Sequence, residues 1–353
     1  MPSERFLLIK SWGCGFWSDV DHVMGQLLVA ELTNRIPVIY WGTNSLYAES
    51  FKTNAFDLYF EPISEYTIYD VIKPQYTYYP PIWRYDNVIV EDLDKITWMY
   101  RNLGDLMGSE ANVVVSDVHY FVRPIINYIT KDHWAYGMTS QQIYRGLFDK
   151  YIRLKPDIEL EIQEFFNANL KDCRPTLGVH IRGGDKIREV ENLSSLNKRY
   201  HTAIAKYIDK YHIQKILLLT DCEDIVKDFM KRYGSKVVFT DCRRGAINAT
   251  DNAPHLQDYT HKRRKGIEII KDTYLASKCD FFIGNGYSNV SYTVKRLRDW
   301  QEDNIILFFR DLKNEIKLAK KRAKAVKNNY NIEEKKHKID YPELYGGVNT
   351  YVN

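Results

Sequence analysis

The second half of the chain alternates short, continuous apolar runs with longer segments in which apolar residues recur every three or four positions. The runs predict buried parallel strands, and the longer segments predict helices that cover them. The predicted strands are 176–181, 215–220, 236–240, 280–284 and 304–309, and the predicted helices are 196–211, 223–233, 262–278 and 289–300. This order is typical of a doubly wound α/β sheet with helices on both faces.

The first half opens on the same pattern. A strand at 6–10 is followed by a glycine turn, a helix at 19–33 and a strand at 37–41. Further strands are predicted at 87–90 and 112–116. The aromatic stretch at 43–85 has no period, and such a stretch inside a compact lobe is usually functional or an insertion. The pattern therefore predicts two α/β lobes.

Length and composition agree with two domains. The chain has 353 residues, of which 44% are hydrophobic, which suits two globular domains better than one small core. We place a first Rossmann-like lobe at 1–170, a second at 171–310 and a basic helical tail at 311–353. A helix at 157–167 precedes the predicted linker at 167–175.

Charge and cysteine content exclude several classes of protein. A net charge of +4 from 50 basic and 46 acidic residues argues against a nucleic-acid-binding role. The basic segments 261–265 and 320–322 are interpreted as solvated helix faces, which would also suit peripheral contact with an anionic membrane. The five cysteines are scattered, so we expect reduced thiols, no metal and no other cofactor. Because no apolar run approaches ~20 residues, we expect a cytoplasmic protein, possible contacts with a membrane being peripheral.

Polar side chains follow the predicted strands where each strand ends. Because the carboxyl ends of parallel strands meet at one edge of a sheet, these side chains predict a ligand site there. An arginine fork and a helix N-terminus at this edge would suit a diphosphate. The residues are His180, Arg182, Asp185 and Lys186 around Gly183-Gly184, then Thr220 and Asp221, and Ser288 before a helix.

Simpler interpretations stay open for several of these residues. Arg182 would otherwise form a surface salt bridge with Asp185, His180 would be a buried, hydrogen-bonded histidine, and Ser288 would only cap its helix. In the first half, Gly13-Cys14-Gly15 could let the backbone approach a phosphate. A plain tight turn is the commoner interpretation there, because the third glycine of a dinucleotide fingerprint is absent.

An ordered series of motifs resembles the superfamily of GDP-fucose-dependent fucosyltransferases, most closely its α-1,6 branch. The segment His180-Ile181-Arg182-Gly183-Gly184-Asp185-Lys186 is similar to the branch's His-x-Arg-Arg-x-Asp-Lys element. The resemblance covers roughly residues 11–62 and 176–298. Further matches, in chain order, are Gly13-Cys14-Gly15-Phe16, His22-Val23, the segment 54–62, Leu219-Thr220-Asp221-Cys222, Tyr259, Gly266, Asp272, Cys279-Asp280-Phe281-Phe282 and Ser288.

The resemblance implies a GT-B fold, in which the first lobe lies on the acceptor side and the second binds a GDP-sugar. It implies inverting, metal-independent transfer of fucose from GDP-fucose to an oligosaccharide or lipid-linked glycan. Carried over residue by residue, Arg182 and His180 would hold the donor diphosphate or sugar, and Asp272 the guanine. The remaining donor-site residues would be Thr220 and Asp221 on the nucleoside side, Ser288 at the phosphates, and Gly13, Gly15 and His22 from the first lobe.

Two departures from the branch's pattern concern catalysis. The second arginine of the element is Gly183 here, which removes one cation. The position of the branch's catalytic glutamate falls on Val190, so we expect the neighbouring Glu189 to be the general base, with Asp185 or Glu191 as alternatives. Arg182 and Lys186 complete the predicted catalytic group.

Two other functions stay open. The first is a GT-B transferase that uses another GDP-hexose, because Gly183 alters the donor site. The second is a non-catalytic nucleotide- or carbohydrate-binding protein, because the general base departs from the pattern.

Overall fold

The computed structural model describes residues 4–50, 53–89, 102–116, 119–183, 197–246 and 261–308. The chain forms two compact units, of which the first runs up to Arg153 and the second is Leu154–Arg310. The helix predicted at 157–167 therefore belongs to the second unit, although the sequence places the lobe boundary at its far end.

The first unit contains a four-stranded parallel sheet. Its strands are β1 (Phe6–Lys10), β2 (Ile36–Tyr40), β3 (Tyr78–Tyr79) and β4 (Val113–Ser116), in the order β2-β1-β4-β3. Its helices are α1 (Phe16–Leu32), α2 (Ile68–Val71), α3 (Leu103–Gly108), α4 (Val122–Ile125) and α5 (Ser140–Tyr151). Because β2 and β4 flank β1 on opposite sides, the topological switch point lies between β1 and β4.

An aromatic cluster explains why α1 begins at Phe16, three residues before the predicted start. Phe16 is 1% exposed. The rings of Trp17, Trp41, Tyr47 and Tyr59 lie 5.0–5.8 Å from its ring at nearly perpendicular angles. Edge-to-face contacts of this kind are favourable beyond the area they bury. Packing therefore fixes the first turn of α1.

Two predictions for the middle of this unit are corrected. Residues 87–89 form a turn and not a strand, and residue 90 lies outside the described residues. Val88 is nevertheless fully buried in the core cluster that contains Phe6, so its apolar character reflects burial without a strand. The short strand β3, which pairs with β4 by placing Tyr78 opposite Val113, is absent from the predicted elements.

The second unit contains a five-stranded parallel sheet. Its strands are β5 (Thr176–Ile181), β6 (Lys215–Thr220), β7 (Val237–Val238), β8 (Phe281–Asn285) and β9 (Ile305–Phe308), in the order β7-β6-β5-β8-β9. Its helices are α6 (Pro156–Asn169), α7 (Arg199–Tyr211), α8 (Glu223–Tyr233), α9 (Lys262–Ser277) and α10 (Asn289–Arg296). The predicted alternation of strands and helices is confirmed, although β7 has only two residues.

The basic segment 261–265 is solvated only at residues 261 and 262, which are exposed, and the prediction is corrected for residues 263–265. Arg263 pairs with Asp157 at 2.8 Å, and Arg264 pairs with Glu161 at 2.7 Å, both on α6. Lys265 is only 6% exposed. Ion pairs and burial therefore account for the basic residues at 263–265.

Candidate functional site

The second unit contains an open cleft beside the carboxyl ends of β5 and β6. It has about 600 Å³ of empty space, bordered by these strands, the loop after β7, α9 and α10. Five residues predicted for the donor site line it together, namely His180, Arg182, Thr220, Asp221 and Asp272. The other lining residues are Leu219, Cys242, Arg243, Lys265, Glu268, Ile269 and Val290.

Arg182 and Asp221 form an ion pair at the carboxyl ends of β5 and β6. Nη1 of Arg182 lies 3.1 Å from Oδ2 of Asp221, and the two side chains are 22% and 8% exposed. The other carboxylate oxygen of Asp221 accepts a hydrogen bond from the backbone N–H of Gly183 at 2.8 Å. Asp221 thus orients both the guanidinium of Arg182 and the backbone of Gly183. A guanidinium held in this way is arranged in advance for two-pronged bonding to a phosphate.

His180 is buried, and its ring nitrogen Nδ1 is occupied. This nitrogen lies 2.6 Å from Oγ of Ser291, which also accepts the backbone N–H of Asn285 at 2.9 Å. Burial, together with the charge of Arg182, lowers the pKa of His180 to about 3. A hydroxyl that accepts the Asn285 N–H can still donate to Nδ1 or accept from it, so Nδ1 is bonded to Ser291 in either tautomer. His180 is therefore a neutral imidazole on the cleft wall, fixed by Ser291.

Asp272 is held in one orientation by two neighbours. Its Oδ1 accepts from Oγ1 of Thr240 at 2.5 Å, and Sγ of Cys242 lies 3.6 Å from its Oδ2. Arg244 in turn bonds the backbone oxygens of Thr240 and Cys242, each at 2.9 Å. Burial raises the pKa of Asp272 to about 6, although these neighbours lower it in part. The carboxylate is therefore mainly ionised at pH 7 and can accept N–H donors of a base.

Three charged residues of the cleft wall are absent from the predicted site: Arg243, Lys265 and Glu268. The backbone N–H of Arg243 donates to Glu268 at 3.0 Å, which joins the loop after β7 to α9. Lys265, Glu268 and Asp272 are spaced by three and four positions on α9. This spacing places them on one helix face, and it is the signal from which they could have been found.

The remaining predicted donor residues of the second unit have local roles. Thr220 is 5% exposed and accepts the backbone N–H of Cys222 at 3.3 Å. Ser288 is the residue before α10 and makes no capping hydrogen bond with its side chain. Asp185, Lys186 and Glu189 lie outside the described residues, so the identity of the general base stays a prediction.

The glycine loop of the first unit surrounds a carboxylate of the chain itself. Asp19, in the first turn of α1, is fully buried, and its Oδ1 accepts the backbone N–H of Trp12 at 3.1 Å. Burial raises the pKa of Asp19 to about 7, against the N–H groups of Trp12, Cys14 and Gly13, which lower it. Gly13 has a φ of +71°, and a Cβ there would lie 2.8 Å from the backbone oxygen of Asn44. The loop is therefore shaped around Asp19.

The other two predicted residues of the first unit differ in exposure. Gly15 is exposed and precedes α1 with an extended backbone, and a Cβ there would meet nothing within 4 Å. His22 is fully buried, with Nε2 3.1 Å from Oγ of Ser116 and its ring stacked on His119 at 5.2 Å. Burial lowers the pKa of His22 well below its usual range. His22 therefore lies in the core, where α1 packs beside the end of β4.

Three wider features concern cofactors and location. In the part of the chain that the structure describes, no group of three or more His, Cys, Asp or Glu side chains is placed to hold a metal ion. None of the five cysteines forms a disulfide bond. None of the described helices combines the length and the apolar character that crossing a membrane requires.

Two units with parallel Rossmann-like sheets define the GT-B class of fold, and solved structures share it. NodZ alpha-1,6-fucosyltransferase soaked with GDP-fucose is 20% identical with a TM-score of 0.59, over 88% of this chain and 96% of that chain. Fucosyltransferase NodZ from Bradyrhizobium is 18% identical with a TM-score of 0.56, over 87% and 97%. POFUT1 in complex with GDP-fucose is 12% identical with a TM-score of 0.52, over 88% and 99%. The predicted GT-B fold is thus confirmed.

Comparison with curated sequences gives a more distant and partial match. No family model matches the chain. GDP-fucose protein O-fucosyltransferase 1 of Caenorhabditis elegans is 25% identical over 159 residues, which are 42% of this chain. The chain spans 40% of the length of that relative. The resemblance to GDP-fucose-dependent fucosyltransferases that the motifs indicate is confirmed by these likenesses in fold and sequence.

Proposed function

We propose that the chain is an inverting glycosyltransferase that transfers fucose from GDP-fucose to a hydroxyl of an oligosaccharide or lipid-linked glycan. The observation that carries the proposal is the convergence of Arg182, His180 and Asp272 on one cleft of the second unit. The fold supports it, because it is shared with NodZ and POFUT1 structures that were determined with GDP-fucose.

The donor would bind with its base beside Asp272 and its diphosphate beside Arg182. The Asp272 carboxylate, fixed by Thr240 and Cys242, accepts the N–H groups of guanine. The guanidinium of Arg182, oriented by Asp221, binds phosphate oxygens. His180 would add one neutral donor to the same oxygens, as the tautomer that carries its proton on Nε2. This set recognises an anionic nucleotide through charge and directional hydrogen bonds.

Transfer would proceed by direct displacement at the anomeric carbon of fucose. The acceptor oxygen forms a bond to this carbon while the bond to the β-phosphate oxygen breaks, and GDP leaves with the electron pair. The acceptor proton passes to a carboxylate, for which Glu189 is the expected base and Asp185 the alternative. Arg182 stabilises the negative charge that grows on GDP, and it does so without a metal ion in this proposal.

The test is a donor panel with GDP-fucose, GDP-mannose and UDP-glucose, measured as release of the nucleoside diphosphate. We expect the highest kcat/KM with GDP-fucose, and a loss of about 100-fold or more in Arg182→Ala because its charge acts on the leaving group. Arg182→Lys should recover part of this loss. Arg263→Ala is the matched control, since Arg263 pairs with Asp157 away from the cleft.

The panel also separates the alternatives. A Cβ at Gly183 would lie 3.1 Å from Cβ of Cys222, so the glycine loop is packed closely where the resembled motif carries an arginine. A preference for GDP-mannose would replace fucose by another GDP-hexose. Activity with UDP-glucose alone, or undiminished activity of Arg182→Ala, would contradict the proposal. Tight GDP binding without turnover of any donor would favour a non-catalytic binding protein.

A further inference from the structure

The first unit contains a cavity of its own, with about 830 Å³ of empty space at the carboxyl end of β2. Its floor includes Tyr40, the last residue of β2, and Phe56, which is 1% exposed. Its rim includes Tyr66 and Tyr69. The carboxyl ends of parallel strands are the usual place for ligands in sheets of this kind. The cavity thus combines a favourable position with four aromatic rings.

The walls of the cavity are held by specific hydrogen bonds. The side chain of Asn54 accepts from the backbone N–H of Trp41 at 2.8 Å and donates to the backbone oxygen of Ile39 at 2.9 Å. Ser64 donates to the backbone oxygen of Pro37 at 2.8 Å. These bonds tie the loop that follows β2 back onto the strand. A pocket with fixed walls spends little free energy on ordering when a ligand binds.

One polar group on the floor has no protein partner. Tyr40 is 6% exposed. Among the described residues, none forms a hydrogen bond with its hydroxyl. Burial, together with the charge of Tyr69, raises the pKa of Tyr40, and both tyrosines line the cavity. A hydroxyl that lines a cavity and has no protein partner can form a hydrogen bond with a ligand.

The charges of the cavity select the class of ligand. Its described lining contains one carboxylate, that of Asp57, and no lysine or arginine. An anion would find no opposite charge in this lining, whereas the cleft of the second unit has Arg182, Arg243 and Lys265. Aromatic faces pack against the C–H groups of a sugar ring, while hydroxyls and a carboxylate bond its O–H groups. The lining therefore fits a neutral sugar.

We propose that this cavity binds a neutral hexose ring of the glycan acceptor, stacked on Tyr69 and hydrogen-bonded by the hydroxyl of Tyr40. The assignment to the acceptor rests on the proposed transferase function, whereas the binding of a neutral sugar rests on the cavity alone. Tyr69 is 65% exposed, so its ring can serve as the open face of the site.

The test is calorimetric titration of the full chain with maltose, cellobiose and lactose, and with glucose 6-phosphate as an anionic probe. We expect at least one of the three disaccharides to bind, and glucose 6-phosphate to bind more weakly. Tyr69→Ala should weaken disaccharide binding about tenfold through loss of the stacked face, and Tyr40→Phe should weaken it by about fivefold through loss of one hydrogen bond. Tyr136→Ala is the matched control, because Tyr136 is 51% exposed and does not line the cavity.

The outcomes separate this site from the proposed function. If none of the disaccharides binds, or if Tyr69→Ala and Tyr40→Phe bind them as the wild type does, the sugar site is wrong. GDP is titrated in parallel, and its affinity should be the same in Tyr69→Ala as in the wild type. If the wild-type chain does not bind GDP, the donor assignment is wrong, whereas the assignment of the sugar site is unaffected.

Discussion

The two units carry comparable loops after their first strands, and the loops differ in what they hold. In the first unit, the loop after β1 is wrapped around the buried carboxylate of Asp19. In the second unit, Asp221 accepts the backbone N–H of Gly183, just after β5, and also pairs with Arg182 beside an open cleft. The Asp19 carboxylate faces backbone N–H groups, whereas the Asp221 carboxylate also forms an ion pair with a guanidinium. The same edge of the same kind of sheet thus encloses a buried carboxylate in one unit and borders the proposed anion-binding cleft in the other.

The largest effect should come from the backbone of the first loop. Gly13→Ala should lower the free energy of unfolding by about 3 kcal/mol, because φ is positive there and the added Cβ meets Asn44. Gly183→Ala is the matched change in the second loop. It should cost about 1 kcal/mol, since its Cβ would meet only the Cys222 side chain closely. Urea unfolding measures the free energy of unfolding of both variants. Equal losses in the two variants would contradict the difference between Gly13 and Gly183.

The next effect concerns the base side of the cleft. Asp272→Asn should weaken GDP binding about 30-fold at pH 8, because one acceptor oxygen becomes an N–H₂ donor facing the N–H groups of guanine. Wild-type affinity should fall as the pH is lowered through about 6, where Asp272 takes up a proton. Because the terminal phosphate of GDP also titrates at about pH 6, the measured quantity is the difference between wild type and variant. Parallel pH curves would contradict the assignment of Asp272.

A smaller effect distinguishes Asp19 through the pH dependence of stability. The pKa of Asp19 is raised from 3.8 to about 7 in the folded chain, so between these values the folded state holds a proton that the unfolded state has lost. Stability from this group therefore declines as the pH rises from 5 to 7, by at most about 1.4 kcal/mol per pH unit. Asp19→Asn should remove this slope. Asp149→Asn, whose side chain is 69% exposed, should keep it.

The smallest effect should come from the charge of Asp221. Asp221→Asn keeps an acceptor for the Gly183 N–H and removes the partner of Arg182. We expect a loss of about 1 kcal/mol in the free energy of unfolding, since the ion pair is only partly buried. Thermal unfolding at pH 5 and pH 8 measures it. If Asp221→Asn instead raises the free energy of unfolding, the Asp221 carboxylate destabilises the folded state, as the buried Asp19 carboxylate does when it is ionised.

The sequence predicted most of the second sheet because its strands are continuous apolar runs bounded by turn residues. It also predicted that His180, Arg182, Thr220 and Asp221 would converge, since strand ends share an edge, whereas Asp272 lies on α9 and was indicated only by the resemblance. It could not predict that Arg182 pairs with a residue 39 positions away, because such pairing depends on the order of the strands. The prediction that Lys265 is solvated was wrong for a related reason. A lysine within a run of basic residues is expected to be exposed, and its burial depends on which face of the helix packs against the sheet.

The first unit was harder to predict because its elements depend on distant partners. The two-residue strand β3 exists only through its pairing with β4. The start of α1 depends on aromatic rings that the chain delivers up to 43 positions later. Patterns of period two or 3.6 carry no information about such contacts.

The ion pairs between α6 and α9 have a practical consequence for dividing the chain. A fragment that began at residue 171 would retain Arg263 and Arg264 but lack their partners Asp157 and Glu161. It would also lack Ile158 and Ile162, which are buried on α6, so the surface that they cover would be exposed. A fragment designed to keep the proposed nucleotide site folded should therefore begin at Leu154, so that it includes α6.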